Sequence, residues 1–68
     1  MEDFNIGDKV IYTKTGEKGM IKQVDVYTCH VVYHCDDDWE NYAYYTSMMT
    51  KKSDLIHGWD KTKKDVKD

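Results

Sequence analysis

The chain has 68 residues, with 40% hydrophobic and 34% charged side chains, ten basic against thirteen acidic groups and no proline. This is the composition of a globular domain rather than of a disordered or fibrous chain. No apolar run approaches the ~18 residues that span a bilayer, and Met1-Glu2-Asp3-Phe4 lacks the basic start and apolar stretch of a secretory signal. A cytoplasmic protein without membrane contact is the expectation. One domain is the upper limit, and a domain of this size buries only about 60% of the surface its unfolded chain exposes. Some of the nine aromatic residues must therefore fill the core.

Helical periodicity is weak, while short apolar runs bounded by glycine and polar clusters recur along the chain, which predicts a small all-β barrel or sandwich of five strands. The first strand is expected over Lys9 to Thr13, with Val10 and Tyr12 on one face. Lys14 to Lys18 reads as a turn in which Gly16 takes positive φ. A second strand runs from Gly19 to Tyr27. Its apolar residues Met20, Ile21, Val24 and Val26 do not keep strict period two, so a bulge near Lys22-Gln23 is needed to bring Ile21 and Val24 to one side. Such bending is what closes a short sheet into a barrel.

The third strand spans Cys29 to His34, with Cys29, Val31 and Tyr33 on one face and His30, Val32 and His34 on the other. Six extended residues separate Cys29 from Cys35 by roughly 20 Å, whereas disulfide Cα atoms lie within about 7 Å, so two reduced thiols are expected. After a long connection, a short fourth strand is placed around Tyr44 to Met49 and a turn over Thr50 to Ser53. Asp54 to Trp59 reads as either a brief helical turn or a closing fifth strand. Residues 60–68 hold seven charges and one apolar side chain, which predicts a disordered charged tail after a barrel over residues 1–59.

Ile6-Gly7-Asp8-Lys9-Val10-Ile11-Tyr12, followed by Gly16, Gly19, Ile21 and Val24, resembles the opening of KOW and Tudor-type SH3-like barrels. In those families a Gly-Asp pair leads into the first strand, and a glycine starts a second strand of spaced aliphatics. The resemblance implies an all-β, five-stranded SH3-like barrel. Tyr33-His34-Cys35-Asp36-Asp37-Asp38-Trp39-Glu40 also looks like the region of chromo-barrel and Tudor proteins where rings form a cage for methylated lysine. The likeness carries that role to Tyr33, Trp39 and Tyr42, with Tyr12 as a fourth ring.

The same region points to a binding surface on chemical grounds. Tyr33 to Tyr45 gathers five aromatic rings and four carboxylates in thirteen residues. Aromatic faces attract cations, and carboxylates raise the local concentration of positive ligands. The expected function is a small noncatalytic binding module. Its site comprises Tyr33, Asp36, Asp37, Asp38, Trp39, Glu40, Tyr42, Tyr44 and Tyr45, and its partner is another protein or a basic peptide. The same rings serve equally as a homodimer seam, and the same acids as the face of a small acidic inhibitor.

The alternative is KOW-like, ribosome-associated RNA or DNA binding through Lys14, Lys18, Lys22, Lys51 and Lys52. Residues 1–59 carry six lysines against ten acids, net −4, which disfavours non-specific nucleic-acid binding. No cofactor, metal or catalytic residue is expected. On a strand, His30 and His34 lie about 13 Å apart, too far to share one zinc ion, and there is no Cys-x-x-Cys pair. Cys35 and its neighbour His34 point to opposite faces of a strand, so a thiol–imidazole pair is not formed there.

Overall fold

The computed structural model describes residues 3–59; the charged segment 60–68 lies outside the described residues. Five strands are formed: β1 Lys9–Tyr12, β2 Lys18–Val24, β3 Thr28–Val32, β4 Met48–Lys51 and β5 Leu55–His57. They make one antiparallel sheet in the order β4-β3-β2-β1-β5, so four strands form a meander and the fifth returns to pair with the first. Among the described residues the rest of the regular structure is 3-10 helix, at Trp39–Tyr44, where it is kinked at Asn41, and at Lys52–Asp54. The sheet is open, with β4 and β5 as its edges.

The expected bulge is present. Met20 pairs with Val32 and Ile21 with Val31, but the next pair is Gln23 with His30, so Lys22 is the extra residue. This shift puts Ile21 in the core and Val24 against it. Gly16 has φ 79° and its N–H donates to the Tyr12 carbonyl at 2.7 Å, closing the turn between β1 and β2.

The core lies on the face carrying Phe4, Val10, Ile21, Cys29, Val31 and Leu55, rimmed by Tyr12, Val24 and Tyr33. Pairing Val10 with Gly19 and Ile21 with Val31 places these alternate positions together. Gly19 is required there. A β-carbon on it would stand 2.5 Å from Val31 Cγ1, 2.8 Å from the Val32 carbonyl oxygen and 2.9 Å from Tyr33 Cδ1.

The opposite face is also covered. Ile11 and Val32 are buried, so β1 does not show the simple in-and-out alternation its sequence suggests. The first 3-10 helix packs against β2. Trp59 crosses the same region, its indole N–H donating to the carbonyls of Val10 and Gly19, each at 3.1 Å.

Several boundaries differ from expectation: β2 starts one residue earlier, at Lys18, and stops at Val24 rather than Tyr27, leaving Val26 and Tyr27 in the turn that precedes β3. Tyr44 belongs to a helix, and β4 starts later, at Met48, and takes in Thr50 and Lys51. The third strand stops at Val32. Of the two readings of Asp54 to Trp59, a closing strand forms, held by Thr13, whose N–H and hydroxyl donate to the Asp54 carbonyl at 2.8 and 3.0 Å.

Candidate functional site: the acidic loop and its helix

Beyond β3 the chain turns sharply. Cys35 is buried and anchors the turn, while Asp36 and Asp37 take consecutive left-handed conformations, φ 54° and 64°. Aspartate tolerates this region better than bulky or β-branched residues because its short polar side chain can bond locally. The turn closes when the Asp38 N–H donates to the Cys35 carbonyl at 2.8 Å. Asp36 and Asp37 are left exposed to solvent.

Asp38 has a different task. Its carboxylate accepts both contacts of the Asn41 amide, at 3.1 and 3.2 Å, and a hydrogen bond from the Tyr45 hydroxyl at 3.2 Å. It thereby ties the beginning of the 3-10 helix to the residue that ends it. The Tyr45 hydroxyl has its pKa raised, first by desolvation and then by the bond it donates to Asp38. The Tyr45 carbonyl accepts from Lys22 Nζ at 2.9 Å, which fixes the end of the helix to β2.

The five rings are divided between two faces of the sheet. Tyr33 lies on the core face, 5.9 Å from Tyr12 between centroids, with its hydroxyl 2.8 Å from that of Thr50. Burial is the chief cause of its raised pKa. Trp39 packs at 5.0 Å on Trp59, and the ammonium groups of Lys9 and Lys18 stand 5.1 and 4.9 Å from the Trp59 ring centre. Lys9 and Lys18 alternate with Val10 and Gly19, so this cluster is across the sheet from Tyr33. Tyr42 sits over the N-terminal turn, its hydroxyl 3.7 Å from where a Gly7 β-carbon would be. Tyr33, Trp39 and Tyr42, to which the resemblance carried a cage, therefore do not converge on one point.

What faces solvent is a smaller set. Tyr44 is 87% exposed, and Asp36, Asp37 and Glu40 are exposed around the same loop and helix. Tyr33, Trp39, Tyr42 and Tyr45 are half-buried. Asn41 and Trp59 were not singled out by sequence reasoning. The Asp38-x-x-Asn41 spacing is a legible signal for the first; the contacts of Trp59 with β1 and β2 span some forty residues and leave no local trace.

The lysines are dispersed. Lys14 stands 4.0 Å from the Asp54 carboxylate, Lys18 over Trp59, and Lys22 on the Tyr45 carbonyl. Lys51 and Lys52 lie at the far end of β4. Cys29 and Cys35 are buried free thiols. Burial raises the Cys29 pKa, with Asp25 and Asp8 adding to it and Lys52 opposing. The histidines are spread over the fold, each beside a carboxylate: His30 by Asp25 at 3.3 Å, His34 by Glu17 at 3.5 Å and His57 by Asp8 at 3.4 Å. Among the described residues no three or more His, Cys, Asp or Glu side chains come together as a metal site.

Comparison of the chain with protein-family models, curated proteins and solved structures finds no match.

Proposed function

We propose that the chain is a small noncatalytic binding module of SH3-like architecture that receives a basic segment of a partner protein on Asp36, Asp37, Glu40 and Tyr44. The observation that carries this reading is the pair of left-handed aspartates, held outward on a turn whose neighbour Asp38 is fully committed to internal bonds. A carboxylate pair presented by a fixed backbone loses little entropy on meeting a cation. The meander with a returning fifth strand, bent by the bulge in β2, supports the barrel assignment, since curling a short sheet requires such a device. Buried free thiols suit a reducing, cytoplasmic setting.

Exposed ion pairs contribute about 0.2–1 kcal/mol each and an exposed cation over a tyrosine about 0.5–1 kcal/mol. Three acids and one ring therefore support weak, salt-sensitive recognition of a segment with several lysines or arginines. The nucleic-acid alternative has less to draw on, because Lys18 stands over Trp59, Lys22 bonds the Tyr45 carbonyl and Lys14 faces Asp54, which leaves Lys51 and Lys52 of the five.

The test is calorimetric titration of a lysine-rich peptide into wild type and an Asp36→Asn, Asp37→Asn double variant. Asparagine keeps the tolerance for left-handed backbone and removes only the charge. Losing two exposed pairs predicts roughly 2- to 30-fold weaker binding, with wild-type affinity falling as salt rises. Equal affinity of the two proteins at low salt sinks the proposal. A pull-down with the same two proteins as bait then identifies the partner.

A further inference from the structure

The sheet has an edge whose open groups can be assigned residue by residue. The Lys52 N–H donates to the Tyr27 carbonyl at 3.0 Å, which makes Tyr27 and Lys52 a hydrogen-bonded pair, and the next pair along is Thr28 with Lys51. In an antiparallel ladder hydrogen-bonded and non-hydrogen-bonded pairs alternate. Cys29 with Thr50 and Val31 with Met48 therefore exchange hydrogen bonds, while Met49 and Lys51 turn their N–H and C=O away from β3. The other side of β3 gives the same phase, because the Asp25 N–H donates to the Thr28 carbonyl at 2.8 Å, so Thr28 faces β2. Two donors and two acceptors thus line the free side of β4.

This edge is short and ends in Lys51, two of the usual ways an edge is blunted, but others are missing. It has no proline and no bulge, and Met48 and Met49 are 62% and 66% exposed. At its Lys51 end an open hollow of about 400 Å³ is lined by Val26, Tyr27, Lys51 and Lys52. It adjoins a second, of about 550 Å³, that reaches Phe4 and Leu55. Val26 and Tyr27 project into solvent at 76% and 82% exposure. Neither Lys51 nor Lys52 forms an ion pair among the described residues, on a body that carries a net charge of −4 over residues 1–59.

From this we infer that the β4 edge is a second binding surface, which takes an extended acidic peptide as an added strand. The peptide backbone pairs with Met49 and Lys51, its carboxylates meet Lys51 and Lys52, and an apolar side chain enters the hollow beside Tyr27. Strand addition of this kind draws affinity from main-chain bonds and selectivity from alternate side chains. The lysines favour an acidic peptide over a second copy of this chain, whose β4 strand carries no carboxylate to meet them.

The probe is an end-capped peptide alternating glutamate with valine and tyrosine, and the control has lysine in place of each glutamate. Binding is followed by amide correlation spectra and hydrogen exchange of the full chain. In the free protein the Met49 and Lys51 amides exchange quickly and those of Met48 and Thr50 slowly; the glutamate peptide protects the first pair. Met49→Pro removes only an outward N–H and leaves the ladder to β3 intact. It is expected to weaken the peptide roughly tenfold. If that variant does not fold, Lys51→Glu with Lys52→Glu gives the same reading through charge. Wild-type affinity in the folded Met49→Pro protein or in the double glutamate variant, or equal binding of the two peptides, overturns the inference. So does protection of Met49 and Lys51 in the free protein that fades on dilution, which assigns the edge to a second copy.

Discussion

Gly19→Ala is the substitution whose effect follows most directly from the geometry. The added methyl would stand 2.5 Å from Val31 Cγ1, 2.8 Å from the Val32 carbonyl and 2.9 Å from Tyr33 Cδ1. Carbon atoms rest about 3.5–4.0 Å apart, so the overlap with Val31 is about 1 Å. Val31 is fully buried and its χ1 is stiff, and the carbonyl is part of the β2–β3 pairing, so neither can swing aside. Replacing glycine in a strand normally gains about 0.5–1 kcal/mol, while overpacking costs about 1–3 kcal/mol. The net expectation is a loss of about 1–2 kcal/mol, a large share of the roughly 3–10 kcal/mol available to a chain of this length. Urea unfolding followed by tryptophan fluorescence reads it, and Val31→Ala in the same chain should recover part of the loss through a measurable coupling. A Gly19→Ala protein as stable as wild type, or more stable, would refute the packing described for β2 and β3.

Two other outcomes follow from the core and its cover. Cys29 and Tyr33 are neutral when protonated, and burial raises both pKa values in the folded state. The folded protein therefore holds protons that the unfolded chain releases above about pH 8.5 for the thiol and about pH 10 for the phenol. Their stabilising contribution is complete below those values and declines as pH rises through them. Urea midpoints measured from pH 7 to about pH 10.5 should fall on the alkaline side, and Cys29→Ala should flatten the first part of that fall. Trp59→Phe removes the donor shared by the Val10 and Gly19 carbonyls and the better cation–π face for Lys9 and Lys18. A loss of about 1–2 kcal/mol is expected in the same unfolding assay.

The strands were legible because their signal is local. β-Branched runs, the turn glycine at Gly16 and the broken alternation from Met20 to Val24 all locate β1, β2 and the bulge without reference to distant residues. The helix at Trp39–Tyr44 was not, because aromatic content favours a strand. Turn chemistry prevailed instead, through the left-handed Asp36 and Asp37 and the Asp38–Asn41 bonds. The division of the rings was illegible for a different reason. Tyr33 and Trp39 are six positions apart, but their opposite faces are set by the register of β2 with β3 and by Trp59, both long-range facts.

Strand β3 sets the spacing of the two proposed surfaces. The acidic turn follows its last residue, Val32, while Tyr27 and the Lys51–Lys52 end of β4 flank its first, Thr28. From Tyr27 to His34 an extended chain covers roughly 23 Å, almost three times the screening length at physiological salt. Charges on one surface are therefore nearly invisible to a ligand at the other, and neither the aspartates nor the lysines neutralise each other across the domain. An acidic body can thus keep a local basic edge, which its net charge of −4 over residues 1–59 conceals. The separation makes simultaneous occupancy of the two proposed surfaces by a basic and an acidic segment physically consistent.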